Sequence, residues 1–291
     1  MRAAAVIAVA AILCVCASGS GSAAVHRDVR VYAGLGTWID LYDRRVLAHP
    51  EAAVDAMAAR GVRTLFLETS NYQMNEDIER RAHAGRFIKA AHADGMAIVA
   101  WYVPSFADQA RDERRSLAAI RFRTPGGERF DSFALDVESS VVKKASLRNT
   151  RLLQLSRRLR AEAPAGFPLG AIIPSPRGMQ RLSWYWPHFP FVQLAQTFDV
   201  FLPMSYFTYR THVPAKSAAY TRLNINLLRK ATGDPALPVH MVGGLARDAS
   251  PAQVRQFVRA ARMGNALGLS IYDFADTTPD QWLELRAAAG R

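Results

Sequence analysis

The segment RFDSFALDVESS, residues 129–140, contains a short apolar run that ends in two carboxylates two residues apart. Alternate residues of a β-strand point to the same face, with Cα atoms about 7 Å apart. Asp136 and Glu138 are therefore predicted to project together from the end of a strand. The rest of the chain indicates what kind of sheet holds that strand.

Apolar strand-like runs alternate with helix-like segments along the chain after residue 28. Runs such as TLFLE (64–68) and AIVAWYV (97–103) are almost continuously apolar, which is typical of parallel strands covered on both faces. Eight strand–helix units can be counted, with strand runs at residues 29–40, 62–68, 97–103, 132–137, 168–173, 200–204, 238–242 and 267–272.

Eight such units in a chain of 291 residues predict an α/β fold, a single (β/α)₈ TIM barrel. The alternative is a doubly wound open sheet. It is less favoured because no G-x-G-x-x-G motif or phosphate-binding loop follows an early strand. The expected helices cover residues 51–60, 76–94, 107–119, 141–163, 218–231, 251–263 and 279–289, and a longer irregular stretch follows the fifth strand.

Residues 1–24 have the pattern of a secretory signal peptide. One arginine precedes an apolar run that ends in the small residues Ser22, Ala23 and Ala24. A retained anchor, or lipid attachment at Cys16, is the alternative. We therefore expect a barrel domain over residues 25–291 and a secreted or cell-envelope location. Both cysteines lie in the leader, so the remaining chain would have no disulfide and no cysteine metal site.

The formal net charge is +12, and the basic residues are scattered, mostly in helix-like stretches. Because no basic stripe with interleaved aromatic residues is present, we expect no nucleic-acid partner. The positive charge would favour approach to an anionic cell surface. The histidines are isolated, so we expect no metal site, and no G-x-S-x-G hydrolase motif occurs. We expect no cofactor and a monomeric protein.

Acidic and aromatic residues collect where the predicted strands end, which is the edge that carries the active site in a TIM barrel. Aromatic rings stack on the C–H faces of sugars, and paired carboxylates supply the acid and the stabiliser that glycosidic cleavage needs. The pattern thus predicts a site for a polysaccharide or oligosaccharide. Its candidate residues are Asp40, Glu68, Asp136, Glu138 and Asp273, with Trp38, Trp101, Tyr102 and Tyr206.

Four of the five acidic candidates have a structural alternative. Two carboxylates held close together raise one pKa and keep a proton near neutral pH, which suits a general acid, but one of the pair could instead cap the next helix. Glu68 could pair with an arginine at the rim. Asp273 could bind the backbone of the loop that follows it.

The longest loop, PSPRGMQRLSWYWPHFPF at residues 174–191, follows the fifth strand. It is too aromatic for a disordered segment. We expect Trp184 and Trp186 to form a wall that stacks on sugar. The alternative is a hydrophobic cover over the outer helices.

Two motifs resemble those of the chitinase-like family 18 glycoside hydrolases. Residues 131–138 resemble the family's D-x-x-D-x-D-x-E signature, and Met204-Ser205-Tyr206 resembles its Met-x-Tyr on strand six. The resemblance implies a (β/α)₈ barrel that hydrolyses N-acetylhexosamine linkages. It implies that Glu138 is the acid, that Asp136 orients the acetamido group, and that Tyr206 binds the acetamido oxygen.

The chain departs from that family at three places. Ala134 stands where the family has its middle Asp, Phe207 stands where an Asp follows Met-x-Tyr, and the Ser-x-Gly-Gly of strand three is absent. The family 25 lysozymes are a second resemblance, carried by Asp136, Glu138 and Asp40. Two functions therefore remain: a secreted glycoside hydrolase, or a catalytically inactive glycan-binding barrel. Action on another polymer or on a glycolipid is a third.

Overall fold

The computed structural model describes residues 27–287. Eight parallel strands pair in chain order, and the first strand closes against the last to make a barrel. The predicted TIM barrel is thereby confirmed. The strands are β1 Gly34–Ile39, β2 Thr64–Asn71, β3 Ala97–Val103, β4 Ser132–Asp136, β5 Leu169–Pro174, β6 Val200–Met204, β7 His240–Leu245 and β8 Gly268–Tyr272.

Helices surround this barrel. They are α1 Arg44–Ala48, α2 Pro50–Ala58, α3 Arg81–Ala93, α4 Gln109–Ile120, α5 Ala145–Glu162, α6 Pro176–Arg181, α7 Phe191–Ala195, α8 Pro214–Thr232, α9 Pro251–Met263 and α10 Pro279–Arg286. No helix in the described range is both long and apolar enough to cross a bilayer. The predicted signal peptide, with both cysteines, lies outside the described residues.

The starts of two predicted elements differ most from the expected positions. Val29–Tyr32 is a 3₁₀ turn and not the start of β1, because the Asp28 side chain accepts a hydrogen bond from the backbone N–H of Arg30 and closes the turn. The helix expected from residue 76 begins at Arg81. Glu79 accepts the backbone N–H groups of Asn75 and Glu76, which folds that segment into a turn.

Side-chain direction alternates along each strand and divides the core into two layers. One set of buried residues faces the helices, whereas a smaller set, which includes Trp38, Phe66, Trp101 and Ala134, fills the barrel interior. Trp38 and Phe66 stack with ring centroids 4.2 Å apart, and the Trp38 indole N–H donates to Ser270 Oγ at 2.8 Å. This layer forms a solid floor beneath the mouth at the carboxyl ends of the strands.

The opposite end of the barrel is closed by a polar plug. His240 is fully buried, with Nδ1 2.8 Å from the Tyr32 carbonyl oxygen and Nε2 3.0 Å from Ser270 Oγ. Burial lowers the pKa of His240 to about 4, so its ring is neutral at physiological pH. Gly268 lies against this plug, and a Cβ atom there would overlap the Tyr32 carbonyl oxygen and the His240 ring.

We expect Gly268→Ala to lower the free energy of unfolding by about 1–3 kcal/mol or more, because backbone and a buried ring must move to admit one methyl group. Gly85→Ala is the matched control. Gly85 lies within α3 and its added Cβ would meet only Thr124 Cγ2, at 3.5 Å. The control should gain about 0.5–1 kcal/mol from helix propensity. Urea unfolding measures both, and equal stability of the two variants would contradict the close approach at Gly268.

Candidate active site

A cavity of about 360 Å³ opens at the carboxyl ends of the strands. Its size falls within the roughly 300–1,000 Å³ of small-molecule sites. Four of the predicted acids line it, and each comes from the carboxyl end of a strand: Asp40, Glu68, Asp136 and Glu138. Among the predicted aromatic residues, Trp101 and Tyr206 line it as well. The barrel thus brings together residues that are far apart in the chain.

Asp136 and Glu138 occupy the mouth from the end of β4. Asp136 is the last residue of the strand and is 6% exposed, and Val137 between the two acids is buried in the outer layer of the core. Glu138 lies just beyond the strand with its side chain exposed in the cavity. The Oδ1 atom of Asp136 has no hydrogen-bond partner among the described residues.

The surroundings favour the protonated form of both acids. Burial, followed by the charges of Glu138 and Glu68, raises the pKa of Asp136 well above its usual value. The pKa of Glu138 is also raised, because the walls of the mouth displace water from its carboxylate. Ionisation of one acid opposes ionisation of the other, so the pair retains a proton at pH values where isolated carboxylates have none.

Glu68 faces the same cavity from β2. Its two carboxylate oxygens accept hydrogen bonds from the backbone N–H of Leu41 at 3.0 Å and from Asn71 Nδ2 at 2.9 Å. Burial raises the pKa of Glu68 to about 7, against the opposing effect of these two hydrogen bonds. No arginine of the described chain lies within ion-pair distance of Glu68, so the alternative of a rim salt bridge is not observed.

A second acidic group lies behind Asp40. Carboxylate oxygens of Asp40, Asp43 and Asp273 fall within 4.8 Å of one another, and the Tyr272 hydroxyl donates to Asp40. Burial and the two neighbouring acids raise the pKa of Asp43 to about 7. Oxygen ligands of this kind suit hard cations. Sequence reasoning included Asp40 and Asp273 but missed Asp43.

Asp273 fits its structural alternative. It does not line the cavity, and its Oδ1 accepts the backbone N–H of Asp276 at 3.0 Å, as expected for an acid that binds the next loop. Burial raises its pKa. We find Asp273 to be part of the support behind Asp40.

Two predicted aromatic residues do not reach the cavity. Tyr102 follows Trp101 on β3 and points outward, where its hydroxyl donates to Asp112 Oδ1 at 2.7 Å. Trp38 is 2% exposed and lies in the floor below the mouth. Neither ring is open for a sugar to stack on. Trp101 is well placed, since it lines the cavity and its buried indole nitrogen has no partner among the described residues.

The loop after β5 follows the alternative of a hydrophobic cover. Trp186 is 2% exposed, the Arg148 guanidinium lies 4.0 Å from its ring centre, and its indole N–H donates to Asn149. It is therefore a cover over α5, and the predicted sugar contact at Trp186 is wrong. Trp184 is 76% exposed but does not line the cavity. Between them, the Tyr185 hydroxyl donates to the Glu138 carbonyl oxygen at 2.6 Å.

Several lining residues were missing from the predicted site. Tyr72 and Tyr272 directly follow or end strands already identified, and their position was the available signal. Arg247 lies in a 3₁₀ turn after β7, beyond residue 242, where the predicted strand ended. Tyr209 follows β6 in a similar turn and contacts the Tyr206 ring at 5.7 Å.

Comparison with solved structures identifies glycoside hydrolases of the same architecture. An endo-β-1,4-mannanase from Thermotoga petrophila matches with a TM-score of 0.65 and 11% identity, covering 88% of this chain and 76% of that chain. A chitinase from Chromobacterium violaceum matches with a TM-score of 0.62 and 12% identity, covering 89% and 99%. The spore cortex-lytic enzyme SleL from Bacillus cereus matches at 0.63 and 9%, covering 87% and 73%.

These likenesses show that the chain shares the (β/α)₈ fold of those enzymes. The sequence itself matches no protein-family model and no curated protein.

We expect Glu68→Gln to change the pH dependence of stability. The folded state holds the Glu68 proton up to about pH 7, whereas the unfolded chain releases it near 4.5. The contribution of Glu68 to stability is therefore full below 4.5 and is lost as the pH rises to about 7. Relative to the wild type, the variant should gain up to about 3 kcal/mol across that window.

Urea unfolding at a series of pH values measures this difference. Glu76→Gln, which removes an exposed carboxylate outside the cavity, is the control and should parallel the wild type. A stability difference between Glu68→Gln and wild type that does not vary with pH would contradict the assigned pKa.

Proposed function

We propose that this chain is a glycoside hydrolase that cleaves a glycosidic bond in an amino sugar-containing polysaccharide. The observation that carries the proposal is the Asp136–Glu138 pair at the barrel mouth, one acid buried and unsatisfied and the other open to the cavity. A barrel needs no such pair for folding, because burying an unpaired carboxylate costs free energy. The (β/α)₈ fold shared with glycoside hydrolases supports the same proposal.

In this proposal Glu138 is the general acid. Its exposed carboxyl group can reach a leaving oxygen, and its raised pKa favours the protonated form that a general acid needs. The proton passes to that oxygen as the bond to the anomeric carbon breaks, and water supplies the group that replaces it.

Asp136 acts as the stabiliser below the sugar. Its buried carboxylate, once ionised, faces the positive charge that develops on the sugar, or the acetamido group of an N-acetylated residue. Low local polarity strengthens that interaction. Tyr206 lines the same cavity, and burial, followed by the charges of Asp136 and Glu138, raises its pKa well above the usual value. Tyr206 and Trp101 would hold the sugar against the pair.

A glycan-binding barrel without catalysis is the second candidate, and Ala134 favours it. Ala134 is fully buried in the interior layer on the same strand as Asp136, where the resembled family has a carboxylate that relays charge. Asp136 therefore lacks that support.

We propose a secreted or cell-envelope location and association with an anionic surface on the basis of residues 1–24 and the net charge of +12.

Glu138→Gln should lower hydrolysis by about 10²–10⁴-fold, the range typical for loss of a general acid, while glycan binding persists. The assay uses chitin oligomers, peptidoglycan, galactosaminoglycan and neutral glucans. Glu76→Gln is the matched control and should keep full activity. Equal binding by wild type and Glu138→Gln without turnover of any substrate would instead establish a glycan-binding barrel.

Tyr185→Phe should lower kcat several-fold with little change in KM, because the Tyr185 hydroxyl holds the backbone of Glu138 and, in this proposal, touches no substrate. The basic limb of the pH–rate profile should shift with the altered position of Glu138, because activity is lost as the general acid deprotonates. Steady-state kinetics over a pH series test this. A rise in KM alone would instead make Tyr185 a substrate-binding residue.

A further inference from the structure

The mouth of this basic protein is acidic. Four carboxylates line the cavity, and Asp43 and Asp273 stand behind one of them. Among the described residues that line the cavity, Arg247 is the only basic one, and it is exposed with Asp248 4.0 Å away. The whole chain carries a formal charge of +12. A cleft lined by acidic groups attracts cations and raises their local concentration, even where the protein as a whole is positive.

One buried acid in this cleft lacks a hydrogen-bond donor. Asp136 is 6% exposed, lines the cavity, and its Oδ1 receives no hydrogen bond from the described chain. Leaving a buried carboxylate oxygen unsatisfied is costly, and a bound group with N–H donors and positive charge would remove that cost. The side chain of Glu68 faces the same cavity.

We propose that the sugar bound at this mouth carries a free, protonated amino group, which lies between Asp136 and Glu68. The substrate class is then a glycan that contains de-N-acetylated hexosamine. This inference rests on the proposed function, since it names the substrate class of the same site. An ammonium group supplies three N–H donors and a full positive charge.

The alternatives fit the cleft less well. The acetamido group of an N-acetylated sugar offers one N–H and no charge, so it would not stabilise the ionised form of these carboxyl groups. A uronic acid or other acidic sugar would add negative charge to a cavity with four carboxylates and one arginine. The aromatic wall of Trp101, Tyr72, Tyr206 and Tyr272 favours a sugar ring over a lysine-like peptide side chain, because flat rings stack on sugar faces.

The experiment measures binding to full-length Glu138→Gln protein near neutral pH, which separates affinity from turnover. The probes are tetramers of glucosamine, of N-acetylglucosamine and of glucose, and a lysine tetrapeptide. Calorimetry gives the affinities. We expect the glucosamine tetramer to bind at least tenfold more tightly than the other three.

Two further variants in the same background locate the ammonium. Asp136→Asn and Glu68→Gln should each reduce the preference for the amino tetramer over the acetylated one by about tenfold, whereas Glu76→Gln should leave it unchanged. Circular dichroism melts show that each variant is folded. If Asp136→Asn unfolds, Glu68→Gln alone decides.

Tighter binding of the acetylated or the neutral tetramer overturns the inference, as does a preference that survives both variants. Preferential binding of the lysine tetrapeptide would assign the cleft to a peptide amine and also overturn it. A preference lost on adding a chelator would show a metal ion bridging the carboxylates, with the same result. Failure of the proposed hydrolysis is distinct, because it appears as absence of turnover by the wild type while the amino-sugar preference stands.

Discussion

The alternation of side-chain direction around a closed barrel is the constraint on which this structure depends. Because a closed barrel has no free sheet edge, each strand is paired on both sides and must direct every second side chain into the close-packed interior. On β4 this directs Asp136 inward and Val137 outward, and Glu138 emerges just past the last pairing. On β3 the same rule directs Trp101 to the mouth and Tyr102 to a helix. The chemistry at the mouth follows from that geometry.

Much of the architecture could be predicted from the sequence because its signals are local. Continuous apolar runs and regular helical intervals are readable in β2, β3 and their helices, and the acids at strand ends follow from the barrel rule. Tyr102 was wrongly assigned to the site because it lies near the carboxyl end of β3 beside Trp101. Adjacent residues of a strand point to opposite faces, so the two side chains cannot both face the mouth. Asp43 and Arg247 were missed because they lie on turns, where neither the two-residue period of a strand nor the 3.6-residue period of a helix applies.

The aromatic loop could not be resolved from sequence because its outcome depends on a distant partner. Trp186 is buried because Arg148, on α5, offers a cation for its ring and Asn149 accepts its N–H. Nothing near residue 186 reveals that pairing. The acidic mouth also could not be predicted from composition. A net charge of +12 describes the whole chain and does not show how charges are distributed over its surface.

The buried Arg148–Trp186 contact divides the loop after β5 into two parts. The root, which contains Tyr185 and Trp186, is held against α5, and the tip contains Trp184. The Arg148 guanidinium also donates to the Tyr185 carbonyl oxygen at 2.5 Å, and Tyr185 in turn reaches the backbone of Glu138. The root is therefore part of the core, while Trp184 stands free in solvent at the tip. Evolution or protein engineering can exchange residues at the tip without disturbing Glu138, because Tyr185, and not Trp184, contacts the Glu138 backbone. This makes the loop a modular site at which a new preference could be grafted onto an unchanged barrel.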